Sequence, residues 1–181
     1  MRTEETALAG VLILTPDVYR DNRGAFLETW NLHTTGQAGL PTTWVQDNFS
    51  LSKKNVLRGI HYQVTQPQGK LVRVTHGAVL DVIVDLRRSS ATYGKHILVE
   101  LNGESGRMIW IPAGFGHGFL ALTDIAGFAY KVTDYYSPSG ERTILWSDPD
   151  LAIPWPVSLK EAIVSAKDQA GVQFREAEVF A

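Results

Sequence analysis

The sequence predicts an all-β fold with a short helical segment near the C-terminus. The chain has 181 residues and 44% hydrophobic content, which suffices for one sizeable core, so we expect a single domain over residues 1–181. Short segments rich in β-branched and aromatic residues fill most of the chain, separated by Gly, Pro, Asp and Ser. Their number is that of a β-sandwich or barrel.

Each predicted strand combines these strand-forming residues with turn residues at its ends. In chain order the segments cover residues 11–15, 24–30, 43–51, 56–63, 70–75, 78–87, 96–101, 107–113, 117–122, 127–136 and 142–146. Within 78–86 apolar and polar residues alternate. One face carries Leu80, Val82, Val84 and Leu86, and the other carries Asp81 and Asp85. This alternation predicts a half-buried strand.

The C-terminal part departs from the strand pattern. The prolines in "DPDLAIPWPV" (148–157) end strand character, and "SLKEAIVSAKDQAG" (158–171) follows them. Ser158 and Glu161 have the spacing of a capping box, and Gly171 closes the segment. These signals predict a short helix.

Composition excludes several classes of function. The formal charge is −2 and no basic block is present, so the chain lacks the electrostatic footprint of a nucleic-acid-binding protein. The absence of cysteine removes disulfide and thiolate chemistry. The N-terminus has no signal-peptide core, and "VLIL" (11–14) is too short to span a bilayer. We therefore expect no membrane partner and a cytoplasmic location.

The stretch "VLRGIHYQVTQPQGKLVRV" (56–74) is unusual because it predicts two strands that carry four basic side chains, Arg58, His61, Lys70 and Arg73. Alternation places Gly59, His61 and Gln63 on one face, and Arg58 on the other unless Gly59 allows a bulge. In one interpretation these side chains line a pocket. In the other, His61 is a core histidine and the cations are solvated. We interpret Arg73 as structural.

A second motif favours the pocket. The segment "IPAGFGHGF" (111–119) contains Pro112-x-Gly114-x-x-His117, which resembles the second half of the signature of cupins, jelly-roll proteins with a double-stranded β-helix barrel. Metal-binding cupins carry His-x-His in the first half, followed by Glu seven residues before a Gly. Here Gln63 replaces one imidazole and Lys70 the carboxylate, so a cation would meet a fixed positive charge. We expect no metal and no cofactor, and a pocket suited to an oxyanion.

Most of the chain resembles the dTDP-4-dehydrorhamnose 3,5-epimerase family of sugar-nucleotide enzymes. The matching segments are "DNRGAFLETW" (21–30), "WVQDNFSLSKKNVLRGIHYQ" (44–63), "QGKLVRVTHGAVLDVIVDLRRSSATYG" (68–94), "IWIPAGFGHGFLAL" (109–122), "FAYKVTDYYSPSGER" (128–142), "WSDPDLAIPWP" (146–156) and "SAKD" (165–168). Their order and spacing agree with the family, which makes the resemblance more specific than any single short motif.

The resemblance implies epimerisation of dTDP-4-keto-6-deoxyglucose at C3 and C5, next to the C4 ketone, through an enolate. It implies that His61 is the base, that Asp168 orients it, that Lys70 faces the C4 oxygen and that Tyr130 reprotonates from the opposite side. Without the resemblance, a tyrosine in "FAYKVTDYY" (128–136) is more often a packing residue.

The resemblance also implies a set of substrate-binding residues. Arg23 and Arg58 would hold phosphate oxygens, and Tyr136 would stack on the thymine. The remaining implied contacts are Glu28, Gln46, Asp47, Asn48, His117, Glu141 and Lys167. As alternatives, Arg23, Glu28 and Glu141 form ordinary surface ion pairs, and His117 satisfies buried carbonyls at a barrel bend.

Relatives of this kind are typically homodimers with an exchanged N-terminal strand. "GVLIL" (10–14) would suit such an edge strand, and Arg23 and Glu28 would then act across the interface. Four other functions stay open: a mono-epimerase for C3 or C5 only, a 3,4-ketoisomerase of the same nucleotide sugar, a non-catalytic nucleotide-sugar-binding cupin, and a metal-dependent cupin oxygenase.

Overall fold

A computed structural model describes the whole chain, from Met1 to Ala181. Fourteen strands dominate it, and all eleven predicted segments contain one. The strands are β1 (Arg2–Glu5), β2 (Leu12–Thr15), β3 (Val18–Asp21), β4 (Gly24–Leu27), β5 (Gln46–Lys53), β6 (Val56–Gln63), β7 (Lys70–His76), β8 (Ala78–Asp85), β9 (His96–Asn102), β10 (Met108–Ile111), β11 (Phe115–Ala121), β12 (Ile125–Val132), β13 (Glu141–Thr143) and β14 (Ile163–Val164). The helices are α1 (Leu32–Gln37) and α2 (Ala166–Gln169), with a 3₁₀ turn at Phe174–Glu176.

Two antiparallel sheets face each other and form the predicted jelly roll. We call them the front sheet, in the order β1-β2-β10-β7-β12-β5, and the back sheet, in the order β13-β6-β11-β8-β9. The short strand β14 pairs in parallel with β6, and β3 and β4 form a separate hairpin. The inward side chains of both sheets share one core, which includes Val72 and Phe128 from the front and Ile83 and Phe119 from the back.

Strand β8 is buried on both faces, so the half-buried interpretation is wrong. Asp81 and Asp85 are fully buried and share their face with Val79 and Ile83, which belong to the barrel core. Val82 and Val84 pack on the other face against Leu151, Ile153 and the C-terminal segment. The C-terminal segment covers the outer face of the back sheet, and alternation within β8 alone carries no information about that cover.

The predicted C-terminal helix exists, but it starts later and is shorter than expected. Ser158 and Glu161 interact through their side chains at 2.6 Å, yet the chain makes only a turn there and continues into β14. The helix begins after Ser165, whose Oγ accepts a hydrogen bond from the Asp168 N–H at 3.1 Å. Ser165 is therefore the N-cap residue of α2.

A bulge in β6 decides the position of Arg58. His61 pairs with His117 and Arg58 with Phe119, so three steps along β6 oppose two along β11. Gly59 adopts a φ of 123°, and a Cβ there would lie 2.5 Å from the Gly118 Cα. The bulge brings Arg58 to the same side of the strand as His61, as the sequence allowed.

The N-terminal strands differ from the expected arrangement. Strand β2, which contains most of "GVLIL", lies between β1 and β10 and is not an edge strand in this chain. The edge is β1, whose four residues are all exposed. None of the helices has the length and apolar composition needed to cross a membrane.

Candidate active site

A cavity of about 650 Å³ opens between the two sheets and brings together most of the predicted site residues. Strands β5, β6, β7, β11, β12 and β13 and the segment 163–168 contribute to its walls. Ten of the fourteen predicted residues line it: Asn48, Arg58, His61, Lys70, His117, Tyr130, Tyr136, Glu141, Lys167 and Asp168. A volume of this size accommodates a small-molecule ligand.

On the back wall, His61 forms a close pair with Asp168. His61 Nε2 lies 2.5 Å from Asp168 Oδ1, and the Gly59 N–H donates to Asp168 Oδ2 at 3.4 Å. Burial alone would raise the pKa of the Asp168 carboxyl, but the hydrogen bonds from His61, Gly59 and Ser165 hold that pKa below its usual value. Asp168 thus stays ionised and fixes the orientation of the His61 ring.

The front wall presents a cation and a phenol towards this pair. Lys70 starts β7 and lies opposite Val132 of β12, two residues from Tyr130, so Lys70 and Tyr130 are inward-facing neighbours. Burial lowers the pKa of Lys70 to about 8, although Asp81 and Glu141 oppose this shift. Burial and the Glu141 charge raise the pKa of Tyr130. At neutral pH the wall therefore offers an ammonium and a protonated phenol.

A second histidine–aspartate pair lies deeper in the barrel. His117 Nε2 is 2.9 Å from Asp81 Oδ2, and the His117 ring stacks on Phe128 with centroids 5.9 Å apart. His117 therefore contacts a carboxylate instead of the carbonyls considered in the sequence interpretation. Asp81 was not among the predicted site residues. The signal was a charged residue within an otherwise apolar strand, but alternation alone assigned it to the polar face.

The mouth of the cavity carries an ion pair and an aromatic side chain. The Tyr136 hydroxyl donates to Glu141 Oε2 at 2.7 Å, and Lys167 Nζ contacts the same oxygen. Burial would raise the pKa of Glu141, but the hydrogen bonds from Lys167 and Tyr136 lower it. Arg58 donates to Ser52 Oγ at 3.1 Å. Glu141 is thus part of the cavity wall and not an isolated surface ion pair.

Four predicted residues lie outside the cavity of this chain. Arg23 pairs with Asp21 on the exposed β3–β4 hairpin at 2.6 Å. Glu28 accepts hydrogen bonds from the Asn31 and Thr34 side chains at 2.9 and 3.2 Å. Asp47 pairs with Lys131 at 2.9 Å.

The fourth is Gln46, whose amide donates to Asn48 Oδ1 at 2.8 Å. Gln46 therefore contacts a cavity residue without lining the cavity itself.

Gln63, which stands where metal-binding cupins have a histidine ligand, is held by hydrogen bonds to the backbone. Gln63 Nε2 donates to the carbonyls of Gln66 and Tyr135 at 2.8 and 3.2 Å, and its Oε1 accepts from the Ser137 N–H at 3.0 Å. Gln63 thereby anchors the loop that carries Tyr136. The structure contains no group of three or more His, Cys, Asp or Glu side chains that could hold a metal ion. Arg73 lies outside this cavity and lines a smaller one of about 230 Å³.

Comparison with known proteins identifies the family. A family model described as dTDP-4-dehydrorhamnose 3,5-epimerase matches residues 5–176. The chain belongs to the dTDP-4-dehydrorhamnose 3,5-epimerase family. It is 51% identical to the enzyme of that name from Salmonella typhimurium over 92% of this chain and 91% of the relative. The enzyme of that name from Pseudomonas aeruginosa is 47% identical over 99% of both chains.

A solved structure of this family has the same fold. It is dTDP-6-deoxy-D-glucose-3,5-epimerase from Legionella pneumophila in complex with dTDP-4-keto-L-rhamnose, with a TM-score of 0.94, 44% identity and coverage of 98% of this chain and 94% of that chain. A more distant relative, 37% identical, is the dTDP-4-dehydrorhamnose 3-epimerase of Streptomyces niveus, with coverage of 98% of this chain and 86% of the relative. The family thus includes members named for one carbon and members named for two.

Proposed function

We propose that this chain is an isomerase that converts dTDP-4-keto-6-deoxyglucose to dTDP-4-keto-rhamnose by epimerisation at C3 and C5, in deoxysugar biosynthesis of the dTDP-rhamnose type. One observation carries the proposal: a paired histidine on the back wall faces a lysine and a tyrosine on the front wall of one cavity. The relatives named for the 3,5-epimerase reaction, at 47% and 51% identity, support it.

The chemistry requires a base, an acid on the opposite face and an oxyanion partner. In this proposal the His61 ring takes the proton from a carbon next to the ketone, and the C–H electron pair moves towards the C4 oxygen. The Lys70 ammonium stabilises that oxyanion. Tyr130 then donates its proton to the carbon from the front wall, and solvent restores both groups. Substrate and product are isomers, so no net electron transfer occurs.

The two walls support inversion because they belong to different sheets. His61 lies on β6 of the back sheet, whereas Tyr130 lies on β12 of the front sheet. A sugar between them would present opposite faces to the two side chains. A single base could only remove and return a proton on one face, which retains configuration.

The nucleotide would occupy the mouth of the cavity. Arg58 and Lys167 supply cations for the diphosphate, since charge-assisted hydrogen bonds to phosphate are strong. Tyr136 is half-exposed and available to stack on the thymine, and Asn48 provides a polar edge.

Assembly would complete the site. We propose a homodimer with exchanged N-terminal strands in which Arg23 and Glu28 reach the nucleotide of the partner. The hairpin that holds Arg23 is exposed, as are its aromatic residues Tyr19 and Phe26, and exposed apolar groups of this kind favour an interface. Mixing Arg23→Ala and His61→Ala subunits tests this arrangement. Restored activity in the mixed dimer supports action in trans, and its absence in a proven mixed dimer contradicts it.

Two further expectations from the sequence belong to this proposal. Residues 1–181 would form one domain, which limited proteolysis would report as a single protected fragment. The protein would lie in the cytoplasm, which cell fractionation would test.

The deciding experiment is proton NMR of dTDP-4-keto-6-deoxyglucose incubated with the enzyme in deuterated water, following C3 and C5 separately. We expect deuterium at both carbons and the rhamno product. Exchange at C3 alone would support the second candidate, a mono-epimerase, which the Streptomyces niveus relative makes the leading alternative. A shifted carbonyl would indicate a ketoisomerase, and binding without exchange would indicate a non-catalytic module. Activity that depends on one bound iron or zinc would indicate the oxygenase.

A further inference from the structure

Asp81 is buried in an unusual way. It is 0% exposed and its Oδ2 faces His117 Nε2 at 2.9 Å. Its other oxygen, Oδ1, is buried and has no hydrogen-bond partner. An unsatisfied buried carboxylate oxygen costs free energy, and a nearby cation would offset part of that cost.

Lys70 is a cation that acts on this carboxylate, and it lines the same cavity as His117, the hydrogen-bond partner of Asp81. Lys70 projects into the barrel from the front sheet, and its ammonium and the Asp81 carboxylate stabilise each other's charged forms. Burial acts against both charges, because it lowers the pKa of Lys70 and raises that of Asp81. Neither charge would persist easily in this part of the cavity without the other.

The other charged groups around Lys70 have partners of their own. The titratable side chains that line this cavity around Lys70 are Arg58, His61 and Tyr62 on β6, His117 on β11, Tyr130 on β12, Tyr136 in the following loop, Glu141 on β13, and Lys167 and Asp168 in the C-terminal segment. Glu141 is held by Lys167 and Tyr136, and Asp168 by His61. Asp81 is the carboxylate with a free oxygen.

We infer that Asp81 is a positioning residue that keeps the Lys70 ammonium charged and directed towards the substrate oxyanion, while His117 holds the carboxylate in place. This inference rests on the proposed function, in which Lys70 faces the C4 oxygen. It assigns the deep histidine–aspartate pair an electrostatic task distinct from the proton transfer of the His61 pair.

The inference fixes the sign of a pH effect. Lys70 stabilises an enolate only when protonated, so activity falls as the pH rises through its pKa of about 8. Replacing Asp81 by a neutral residue removes the attraction that supports the ammonium. The pKa of Lys70 then falls further, and the alkaline limb of the rate profile moves to lower pH.

The first test measures Lys70 directly, without catalysis. The Lys70 Cε resonance is titrated by ¹³C NMR in lysine-labelled protein, with Lys70→Met to identify it. Asp81→Asn keeps an acceptor for His117 and should lower the pKa of Lys70 by about one unit. The matched control is Glu141→Gln, which should lower it less because Lys167 and Tyr136 already occupy Glu141. Should Asp81→Asn not fold, Asp81→Ser provides a smaller neutral residue.

The second test is the pH profile of deuterium exchange. Above pH 9 we expect kcat of Asp81→Asn to fall about tenfold relative to wild type, and the deficit to shrink as the pH is lowered. The inference would be overturned if the pKa of Lys70 were unchanged in folded Asp81→Asn. It would also be overturned if Glu141→Gln lowered the pKa of Lys70 more than Asp81→Asn does. If the wild-type chain exchanged no deuterium, the proposed function would fail, whereas a lowered Lys70 pKa in Asp81→Asn would still support the charge pairing.

Discussion

The two histidine–aspartate pairs of the cavity use the same kind of contact in different surroundings. In the outer pair the His61 side chain is 29% exposed, and the Asp168 carboxylate accepts an additional hydrogen bond from the Gly59 N–H. In the inner pair His117 is 9% exposed, and one oxygen of Asp81 has no partner. The pKa of Asp168 is lowered and that of Asp81 is raised by burial.

The difference between the two pairs shows that a histidine–aspartate contact alone does not determine the chemical role of the histidine. The number of hydrogen bonds that a buried carboxylate accepts determines how far its ionised form is stabilised. Solvent access determines whether the imidazole paired with it can exchange protons. The outer pair has both properties and suits a base. The inner pair has neither property and does not suit a base, and the positive charge of Lys70 offsets part of the cost of burying Asp81.

The largest expected effect comes from breaking the outer pair. His61→Ala should nearly abolish deuterium uptake at both C3 and C5, with a rate loss of about 10²- to 10⁴-fold, because the proposed general base is removed. Proton NMR in deuterated water measures this loss, and circular dichroism checks the fold. Appreciable exchange by a folded His61→Ala enzyme would assign the base elsewhere, and His117 would be the next candidate.

The second largest effect is expected from removing the Lys70 ammonium. Lys70→Met should leave the fold intact and reduce kcat by about 10²- to 10³-fold, the loss expected for ~3–4 kcal/mol of oxyanion stabilisation. Arg73→Met is the matched control, since Arg73 lies on the same strand outside this cavity, and it should turn over almost normally. Near-normal rates for folded Lys70→Met would remove Lys70 from the mechanism.

A smaller and more selective effect is expected on the front wall. Tyr130→Phe should reduce inversion at C5 by about 10²-fold, yet it should permit some deuterium uptake, because the base can still remove and return a proton. Tyr135→Phe, at an exposed position outside the cavity, serves as the control. Full inversion by Tyr130→Phe would refute the proposed division of labour between the walls.

The smallest effect distinguishes the two carboxylates through stability. Asp168 has a lowered pKa in the folded state, so it stabilises the fold above its unfolded pKa of about 3.9, and this contribution is lost as the pH falls through the folded value. Asp168→Asn should therefore cost about 1–3 kcal/mol at pH 7 and progressively less below pH 4.

Asp81→Asn should behave in the opposite way. The raised pKa of Asp81 means that its ionised form opposes folding at neutral pH, so the variant should unfold at the same temperature as wild type or higher. Thermal unfolding of both variants between pH 3 and pH 7 provides the measurement. A large loss of stability at pH 7 in Asp81→Asn would show that the two pairs do the same structural work.

Much of the fold was predictable because strand signals are local. All eleven predicted segments contain strands, since β-branched residues and turn residues define them without reference to the rest of the chain. The start of α2 was not predictable in the same way. Ser158 and Glu161 satisfy the capping pattern, but Ile163 and Val164 pair with β6, so tertiary pairing overrides the local signal there.

The resemblance named ten of the residues that line the candidate site. The prediction of the site was incomplete for Asp81, whose position depends on burial within the fold. Alternation in β8 separated the aspartates from the valines, yet it could not reveal that the C-terminal segment covers the outer face of the back sheet. Asp81 therefore looked like a surface residue. The positions of Arg23 and Glu28 were also beyond the sequence, because neither the β3–β4 hairpin nor the segment directly after it lines the cavity of this chain.

The bulge at Gly59 has a consequence for redesign of the substrate range. An unbulged strand of the same sequence would turn either Arg58 or His61 away from the cavity, so the guanidinium and the imidazole occupy one face only because of the bulge. Straightening β6 without shortening it would place these two side chains on opposite faces and would separate recognition from chemistry in a single step. Variants selected for other nucleotide sugars should accordingly vary the mouth of the cavity while they conserve Gly59 and the bulge in β6.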